Sequence, residues 1–361
     1  MAAAPALLAP RASAALADYV VDCAWSPDAR SLAVVCGEGS VHLLTRSDAG
    51  LQARVVGEHG LGGLAVAWSP RAACFATSGQ DAELAFWDAA SGGELKRLRP
   101  ARAWTEHLAW SADARMLASA AGKSVTVWSA GGEILHEFPP QQTTVAALAW
   151  DRAGAELAAA TNGILVVHRL EGSKTNRAAA RDPAHATSAA TPRFSSREYP
   201  WGAARTVAFS PNGKVLATGM QDGSVRFWYR ATGKSAQMRG YDSAVMLTAW
   251  SANSRYLATS AGNEVVIWDF SGKGPEGSRP LQLTGHTDRI ESLAWQPGGM
   301  YLATGGRDWR LSLWAPGKAG AAIDAHMAEA EVTAVRWSAD GRWLAVGGRT
   351  GRLAVFELVE P

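Results

Sequence analysis

The sequence predicts an all-β protein built from eight copies of one repeat, and two recurring positions carry this prediction. An aromatic residue, preceded by alanine in seven of eight cases, returns at intervals of 40 to 45 residues, with one longer interval of 59. A second anchor follows each of them 18 or 19 positions later. A fixed period of this size indicates a repeat architecture. The first anchors are Trp25, Trp68, Trp110, Trp150, Phe209, Trp250, Trp295 and Trp337, and the second anchors are Leu44, Trp87, Trp128, His168, Trp228, Trp268, Trp314 and Phe356.

Residues 281–314 show the elements of one copy in order. A strand ends at Trp295 and is followed by the turn sequence QPGG. The apolar run YLAT then predicts a second strand, a turn with Gly305, Gly306 and Asp308 follows, and LSLW predicts a third strand. Proline and glycine at the first turn and glycine with aspartate at the second are typical breaks between short strands. Each copy therefore contributes several antiparallel strands and no helix.

These features resemble the WD40 family of β-propellers, and the resemblance covers nearly the whole chain. Gly285-His286 matches the Gly-His dipeptide of that family, and Trp87-Asp88 and Trp268-Asp269 match its Trp-Asp dipeptide. Members of the family form four strands per repeat and stack these blades around a central channel. The resemblance implies an eight-bladed WD40 β-propeller. A seven-bladed ring is the alternative if the degenerate fourth copy forms no blade.

The N-terminal residues are predicted to close the ring. The last copy ends on its third strand, so its blade lacks one strand, and the resemblance implies that an N-terminal strand within residues 6–17 completes it and removes an open sheet edge. Residues 1–17 are rich in alanine, but they lack the basic start of a signal peptide and are interrupted by Pro5 and Pro10. No run of 18 apolar residues occurs, so we expect no membrane span.

The chain is predicted to form a single propeller domain, residues 1–361, with one insertion. The extra residues of the long interval lie at 171–193, where Ala, Ser, Thr and Arg predominate without periodicity. This composition predicts a flexible loop in blade four. Counting back from Phe209 places the next strand near Phe194–Tyr199, so the insertion falls between the third and fourth strands of that blade.

Composition gives few indications of a partner. The net charge of +2 with 19% charged residues provides no general case for nucleic acid. Cys23, Cys36 and Cys74 are odd in number and fit small buried side chains of a reducing compartment. The abundance of Ala and Arg suggests a bacterial source. We expect a cytoplasmic protein, monomeric on its own.

The resemblance also implies hydrogen-bonded tetrads within single blades. The matching residues of copies two, five and seven are His59, Thr77, Asp81 and Trp87; Thr218, Asp222 and Trp228, with Pro200 at the histidine position; and His286, Thr304, Asp308 and Trp314. A Thr-His-Asp set could be mistaken for a catalytic triad, but here it satisfies buried polar groups and fixes a turn. Copies that lack it, with Tyr241 or Gln141 at the histidine position, are expected to depend on packing.

Three tryptophans at loop positions suggest a surface for partners. Trp104 and Trp201 precede first strands, Trp309 follows a turn aspartate, and in WD40 propellers both loop types emerge on the same face. Tryptophan and arginine dominate the energetics of protein interfaces. The alternative is that each Trp folds back over its own blade. The candidate partner face comprises Gln80, Trp104, Trp201, Gln221, Arg307, Trp309 and Arg349.

The sequence therefore favours a non-enzymatic scaffold that presents loops to partner proteins. The eight histidines show no metal-ligand spacing, and no phosphate-binding, dinucleotide or nucleophile-elbow motif occurs, so we expect no metal and no cofactor. Two alternatives stay open. An enzyme would place acid and base residues with shifted pKa values around the central channel. A peptide or nucleic-acid reader would show a continuous basic face with exposed aromatic residues.

Overall fold

Eight four-stranded antiparallel sheets account for every strand of the computed structural model, which describes residues 7–171, 192–272, 274–316 and 320–359. Within each sheet the strands are hydrogen-bonded in chain order, except that the fourth strand of blade eight comes from the N-terminus. The described residues contain no helix, and hence none long and apolar enough to cross a membrane. The expected all-β class and the eight blades are confirmed.

The four strand positions recur with similar lengths in all blades. First strands are Val20–Trp25, Gly63–Trp68, Thr105–Trp110, Val145–Trp150, Ala208–Phe209, Leu247–Trp250, Ile290–Trp295 and Val332–Trp337. Second strands are Ser31–Cys36, Cys74–Gly79, Met116–Ala121, Glu156–Thr161, Val215–Gly219, Tyr256–Ala261, Leu302–Gly306 and Trp343–Gly348. Third strands are Ser40–Ser47, Leu84–Asp88, Ser124–Ser129, Leu165–Leu170, Ser224–Tyr229, Glu264–Asp269, Arg310–Trp314 and Arg352–Leu358. Fourth strands are Gly50–Glu58, Glu94–Leu98, Ile134–Glu137, Phe194–Tyr199, Ser235–Arg239, Leu281–Leu283, Asp324–Met327 and, for blade eight, Leu8–Ala15.

The blades form a closed circle. First strands of consecutive blades contact each other all the way round, and the first strand of blade eight contacts that of blade one. The N-terminal strand pairs with the last strand from Leu8 opposite Leu358 to Ala15 opposite Arg352, with a register shift between Pro10 and Ala12. The predicted closure by an N-terminal strand is therefore confirmed, and it leaves blade eight with four strands like the others.

The core lies between the blades rather than inside any one of them. In blade one, Val34 and Leu44 pack with blade eight, while Val35 and Leu43 pack with blade two. Second strands such as Trp343–Gly348 are buried along their whole length. Since each sheet is covered on both sides, its middle strands are apolar on both faces, as in other sheets buried on two sides.

Most first-anchor tryptophans also connect neighbouring blades by a hydrogen bond. The indole Nε1–H donates to the backbone carbonyl that precedes the aromatic anchor of the previous blade, as from Trp295 to Ala249 at 3.0 Å. The same bond is made by Trp25, Trp110, Trp150, Trp250 and Trp337, at 3.0 to 3.3 Å. Trp68 is the exception, because its buried Nε1 has no hydrogen-bond partner in the described structure.

Blade four is complete, so the alternative of a seven-bladed ring is wrong. Its fourth strand, Phe194–Tyr199, lies where the repeat length predicted it. His168, at the usual Trp position, is buried in the core. Its Nδ1 is hydrogen-bonded to Ser196 Oγ at 2.7 Å, and its ring stacks on that of Phe138 with 3.7 Å between the ring centroids. Asp151 replaces the usual serine and accepts the backbone N–H groups of the following turn. Of the predicted loop at 171–193, residues 172–191 lie outside the part of the chain that the structure describes.

Candidate functional site

One end of the ring gathers two sets of loops, and we call it the upper face. It consists of the segments that enter the first strands and the turns between second and third strands. The antiparallel register puts both at the same end, because the start of each first strand is paired with the end of the second, as Gly63 is with Gly79. All seven residues of the candidate partner face lie in these segments. The structure therefore places them at one end of the molecule.

Four of these residues occupy equivalent turn positions. The backbone N–H of Gln80, Gln221, Arg307 and Arg349 donates, at 2.8 to 2.9 Å, to a carbonyl of the segment that enters the same blade. Their side chains are partly engaged by neighbours. Arg205 Nε donates to Gln221 Oε1 at 2.5 Å, Arg307 pairs with Glu291 at 2.5 Å, and Arg349 pairs with Glu331 at 2.6 Å. The positive charges of Arg307 and Arg349 are thus each paired with a neighbouring glutamate.

The three loop tryptophans differ in exposure. Trp104 is 52% exposed and Trp309 is 49% exposed. Trp309 also has a φ of 66°, in the left-handed region that a bulky side chain rarely adopts. Trp201 instead packs on Tyr199 at 5.3 Å, as a partly buried member of the hydrophobic cluster of blades four and five. The grouping of all three is therefore corrected: Trp201 folds back over the blades, and Trp104 and Trp309 face solvent.

The expected tetrads form in blades two and seven. In blade two, His59 Nδ1 lies 3.1 Å from Asp81 Oδ2, its Nε2 lies 2.9 Å from Thr77 Oγ1, and Trp87 Nε1 donates to the same hydroxyl at 2.7 Å. In blade seven the corresponding distances among His286, Asp308, Thr304 and Trp314 are 2.9, 2.8 and 2.8 Å.

Burial gives these tetrads a structural role. Thr77 and Thr304 are both 0% exposed, so neither hydroxyl can reach a substrate. Burial also holds the pKa of His59 below its ordinary value, against the opposing effect of Asp81. Neutral His59 then has one ring nitrogen that donates to Asp81 and one that accepts from Thr77, which satisfies every polar group of the chain of bonds.

Blades five and six depart from this pattern in different ways. In blade five Pro200 cannot replace histidine, and Thr218, Asp222 and Trp228 make no connected chain: the threonine bonds to Met220 Sδ and Arg226 O, and the aspartate to Ser224. In blade six Tyr241 takes over the histidine's part. Its hydroxyl lies 2.5 Å from Thr259 Oγ1 and accepts from Trp268 Nε1 at 2.7 Å. The expectation that this blade depends on packing alone was wrong.

The central channel forms a cavity of about 460 Å³ lined by first strands. Arg336, the one residue that replaces alanine before an aromatic anchor, donates to Asp22 of blade one at 2.7 Å and to Ser292 of blade seven at 3.1 Å. Asp22 raises the pKa of the Arg336 guanidinium. Burial lowers the pKa of His107 in the channel wall to about 4, so this imidazole is neutral at pH 7.

Two features escaped the sequence reasoning. Leu61, Met246 and Met327 are exposed by 70%, 37% and 66% on the upper face, but single apolar residues in loops give no sequence signal of their own. Cys36, Glu38 and His42 come together at a turn of blade one. These three residues lie two and four positions apart, and the spacing of the histidines alone does not reveal them.

Comparisons with known proteins agree with this architecture. The family model for "WD domain, G-beta repeat" matches residues 201–229, 277–315 and 317–357. In overall fold the chain is similar to the C-terminal WD40 domain of Sif2, with 15% identity, a TM-score of 0.76, and coverage of 98% of this chain and 99% of that one. It is equally similar to the computationally designed Ika8 protein, with 18% identity, a TM-score of 0.76, and coverage of 97% and 99%.

Sequence relatives include proteins of two plants and of Dictyostelium discoideum. "Cell division cycle 20.4, cofactor of APC complex" of Arabidopsis thaliana is 26% identical over 68% of this chain and 54% of its own length. The "B-type cell cycle switch protein ccs52A" of Medicago truncatula is 26% identical over 69% and 50%. The "Anaphase-promoting complex subunit cdh1" of Dictyostelium discoideum is 32% identical over 32% and 16%. The chain thus spans about half the length of the first relatives it matches.

Proposed function

We propose that this chain, which forms an eight-bladed β-propeller and matches the WD40 repeat model in part, is a WD40-repeat protein that serves as a non-enzymatic scaffold and binds partner proteins through its upper face. One observation carries the proposal: Trp104 and Trp309, both about half exposed, project from the same end of the ring. Exposure of two indoles to water costs free energy that contact with a partner would recover. Since fold alone does not define function, we infer the role of this chain from the side chains that the upper face exposes.

Blade seven presents the strongest part of the proposed surface. Trp309 follows the turn aspartate, and its carbonyl accepts from Ala328 N at 2.7 Å. That bond places the Trp309 backbone next to the end of the fourth strand, where Met327 is 66% exposed. Trp and Met are both enriched in protein interfaces relative to other surfaces. This pair therefore offers an apolar anchor point for a partner.

Further apolar residues extend the surface around the rim. Trp104 enters blade three and Leu61 enters blade two. Met246, at the entry to blade six, helps to line a depression of about 380 Å³ together with Gln221 and Arg289. A depression next to exposed apolar side chains can take a side chain of the partner, which is the usual arrangement of an interface hot spot.

The charges of the upper face favour protein over nucleic acid. Arg307 and Arg349 are each paired with a glutamate of the adjoining segment. Binding to a phosphate backbone needs cations that are free to release counterions, arranged in a continuous patch. Because these arginines alternate with carboxylates, the face is mixed in sign, which suits a polar interface rim around the apolar residues.

The enzyme alternative has less support from the channel. Acid and base catalysis would need carboxylates free to exchange protons at this cavity. Of the carboxylates that line it in the described structure, Asp22 is paired with Arg336 at 2.7 Å and Glu291 with Arg307 at 2.5 Å. Glu106 is left without a second free carboxylate to act with it, so the residues of the channel wall do not suggest a catalytic pair.

The relatives support a role in protein assemblies. Their names describe cofactors and a subunit of the anaphase-promoting complex, and we infer for this chain the more general property of an adaptor that binds proteins. A cytoplasmic location and a monomeric state stay predictions. The suggested bacterial source also stays a prediction, and the relatives reported above, from plants and Dictyostelium, give it no support.

The proposal can be tested by comparing two faces of the same molecule. The double variant Trp104→Ala/Trp309→Ala removes the two exposed tryptophans of the upper face. The control variant Met300→Ala/Val359→Ala removes two apolar residues that are 39% and 40% exposed at the opposite end of the ring. We expect the upper-face variant to capture at least one partner protein with a yield at least tenfold below that of the wild type, measured by quantitative mass spectrometry. The variant at the opposite end should capture the same partner with the yield of the wild type. Thermal unfolding of each protein checks that the fold is intact. Equal capture of every partner by all three proteins would refute the upper face as the binding site.

A further inference from the structure

Blade one carries a cluster of metal-binding side chains at the turn between its second and third strands. His42 lies opposite Val34 in the register of this hairpin. Since alternate residues of a strand share a face, Cys36 points to the same side as Val34 and therefore to the side of His42. Glu38 lies in the turn between them and is exposed to solvent. One short hairpin thus brings together a thiol, an imidazole and a carboxylate.

The distances within this cluster are short. The Cys36 Sγ, one ring nitrogen of His42 and a carboxylate oxygen of Glu38 all lie within 4.8 Å of one another. The Ser40 hydroxyl lies between two of them, 2.6 Å from Glu38 Oε1 and 2.8 Å from His42 Nε2. Both ligand side chains are therefore already directed toward a common point, which this hydroxyl now occupies.

From this geometry we propose that the Cys36–Glu38–His42 hairpin binds one zinc ion. Sulfur, nitrogen and oxygen ligands of these types are the usual donors to Zn²⁺, and three protein ligands leave a fourth tetrahedral position for water. Ligand atoms around such an ion are roughly 3.6 Å apart, given metal–ligand bonds of about 2.1 to 2.3 Å. Since the three ligand atoms lie within 4.8 Å of one another, a contraction of at most about 1 Å brings them to this spacing. The exposed Glu38 side chain can change rotamer, and the Ser40 hydroxyl must rotate away from the point that the ion would take.

The charges of the bound site balance. A cysteine thiol ordinarily carries its proton at neutral pH, so Cys36 must lose that proton to bind the ion. Zn²⁺ binding replaces it: the S–H bond breaks, the Zn–S bond forms, and the proton goes to solvent. One thiolate and one carboxylate then neutralise the two charges of the ion, and His42 binds as the neutral imidazole.

The fold itself does not require these side chains. In blades two and seven the turn aspartate is held by a tetrad histidine, but the tetrad positions of blade one are the apolar residues Leu16, Val34 and Leu44. Glu38 therefore stands at the aspartate position without a tetrad to complete. Cys36 packs in the cluster that joins blade one to blade eight, so a bound ion would stabilise the seam at which the ring closes.

The test uses the full-length protein without a histidine tag and Co²⁺ as a spectroscopic probe for the zinc site. Thiolate coordination produces a ligand-to-metal charge-transfer band in the near ultraviolet, and Zn²⁺ should abolish it by competition. We expect one Co²⁺ per chain, loss of the band in Cys36→Ala, and at least tenfold weaker binding in Glu38→Gln. Because Glu38 is exposed, the second variant keeps the fold even if the first disturbs it. Cys74→Ala, which removes another buried thiol, serves as the matched control and should bind like the wild type.

Each outcome decides the matter. A band that depends on Cys36 and Glu38 but not on Cys74 supports the site, and Zn²⁺ should then also raise the unfolding temperature of the wild type. No band in the wild type, a band that persists in Cys36→Ala, or equal loss in Cys74→Ala would overturn it. None of these results depends on the partner-binding role proposed above, so the two proposals can fail separately.

Discussion

Trp295 shows how a single side chain can join two blades. Its ring is 7% exposed, and its Nε1–H reaches the carbonyl of Ala249 in the previous blade. Five of the seven alanines before aromatic anchors consequently have two roles: the small side chain allows close approach, and the carbonyl accepts the indole N–H of the next blade. The repeat predicts the first role. The second depends on how neighbouring blades are oriented, which the spacing of residues does not contain.

We predict that Trp295→Phe destabilises the protein more than Trp68→Phe does. Both changes remove the same atoms from a first anchor, so the loss of packing is similar. Only Trp295→Phe removes a hydrogen bond, which should cost about 0.5 to 1.5 kcal/mol of unfolding free energy. Urea denaturation of the two variants and the wild type measures the difference. Equal losses would show that the inter-blade bond contributes nothing.

The contacts of Tyr241 and Cys36 could not be predicted from the repeat. The position of Tyr241 relative to the tetrad was evident from the repeat, but whether its hydroxyl could reach Thr259 depended on the path of the loop. The Cys36 cluster depends on cross-strand register, because Cys36 and His42 are six residues apart and meet only when the hairpin closes. Alignment of copies gives equivalent positions, and it does not give distances between side chains.

The N-terminal strand is the element on which ring closure depends. Leu8 is fully buried, and its backbone N–H donates to Asp324 of blade seven at 2.7 Å. Without this strand, Arg352–Leu358 would become an open edge with unpaired backbone groups, which favours association between molecules. The closing strand and Phe194–Tyr199 were both predictable, because each fills a gap that the four-strand repeat leaves. The two-residue length of Ala208–Phe209 was not, since its sequence resembles the other first strands.

We predict that deletion of residues 1–17 destabilises the ring and that the missing strand can be supplied in trans. Loss of Leu8 burial alone should cost about 2 to 5 kcal/mol, so the truncated chain should unfold at lower temperature and aggregate. A peptide with the sequence of residues 6–17 should restore the unfolding temperature in a concentration-dependent way, measured by scanning calorimetry and light scattering. A peptide of scrambled sequence is the control. An unchanged unfolding temperature after truncation would contradict the closing role of the strand.

At the scale of the whole molecule, the first and last residues that the structure describes, Leu7 and Val359, lie side by side. Val359 N donates to Leu7 O at 2.8 Å, and the last strand pairs with the first along its length. Stability therefore depends on a complete circle of blades. Each blade contacts the blade before it and the blade after it, so the contacts do not distinguish a first blade from a last one. The eightfold repeat made the ring predictable from sequence. The distribution of exposed side chains on the upper face was not predictable from sequence. Trp201 and Trp104 occupy similar loop positions, but only Trp201 packs against a hydrophobic cluster.

We predict that a circular permutant that starts at Ala49 folds to the same ring. Joining Pro361 directly to Met1 places residues 360, 361 and 1–6 between the two groups that already meet, and the new ends lie in the exposed turn after Ser47. Gly50–Glu58 then becomes the N-terminal strand and closes the ring through blade one, while Leu8–Ala15 stays in blade eight as an internal segment of the chain. Because all inter-blade contacts are kept, the unfolding free energy should stay within about 1 kcal/mol of the wild type, as for cuts at exposed loop tips generally. A permutant opened between Ala76 and Thr77, inside a fully buried strand, is the control and should fail to fold. If the Ala49 permutant fails as well, the order in which the blades are joined, and not only their contacts, determines whether the ring can close.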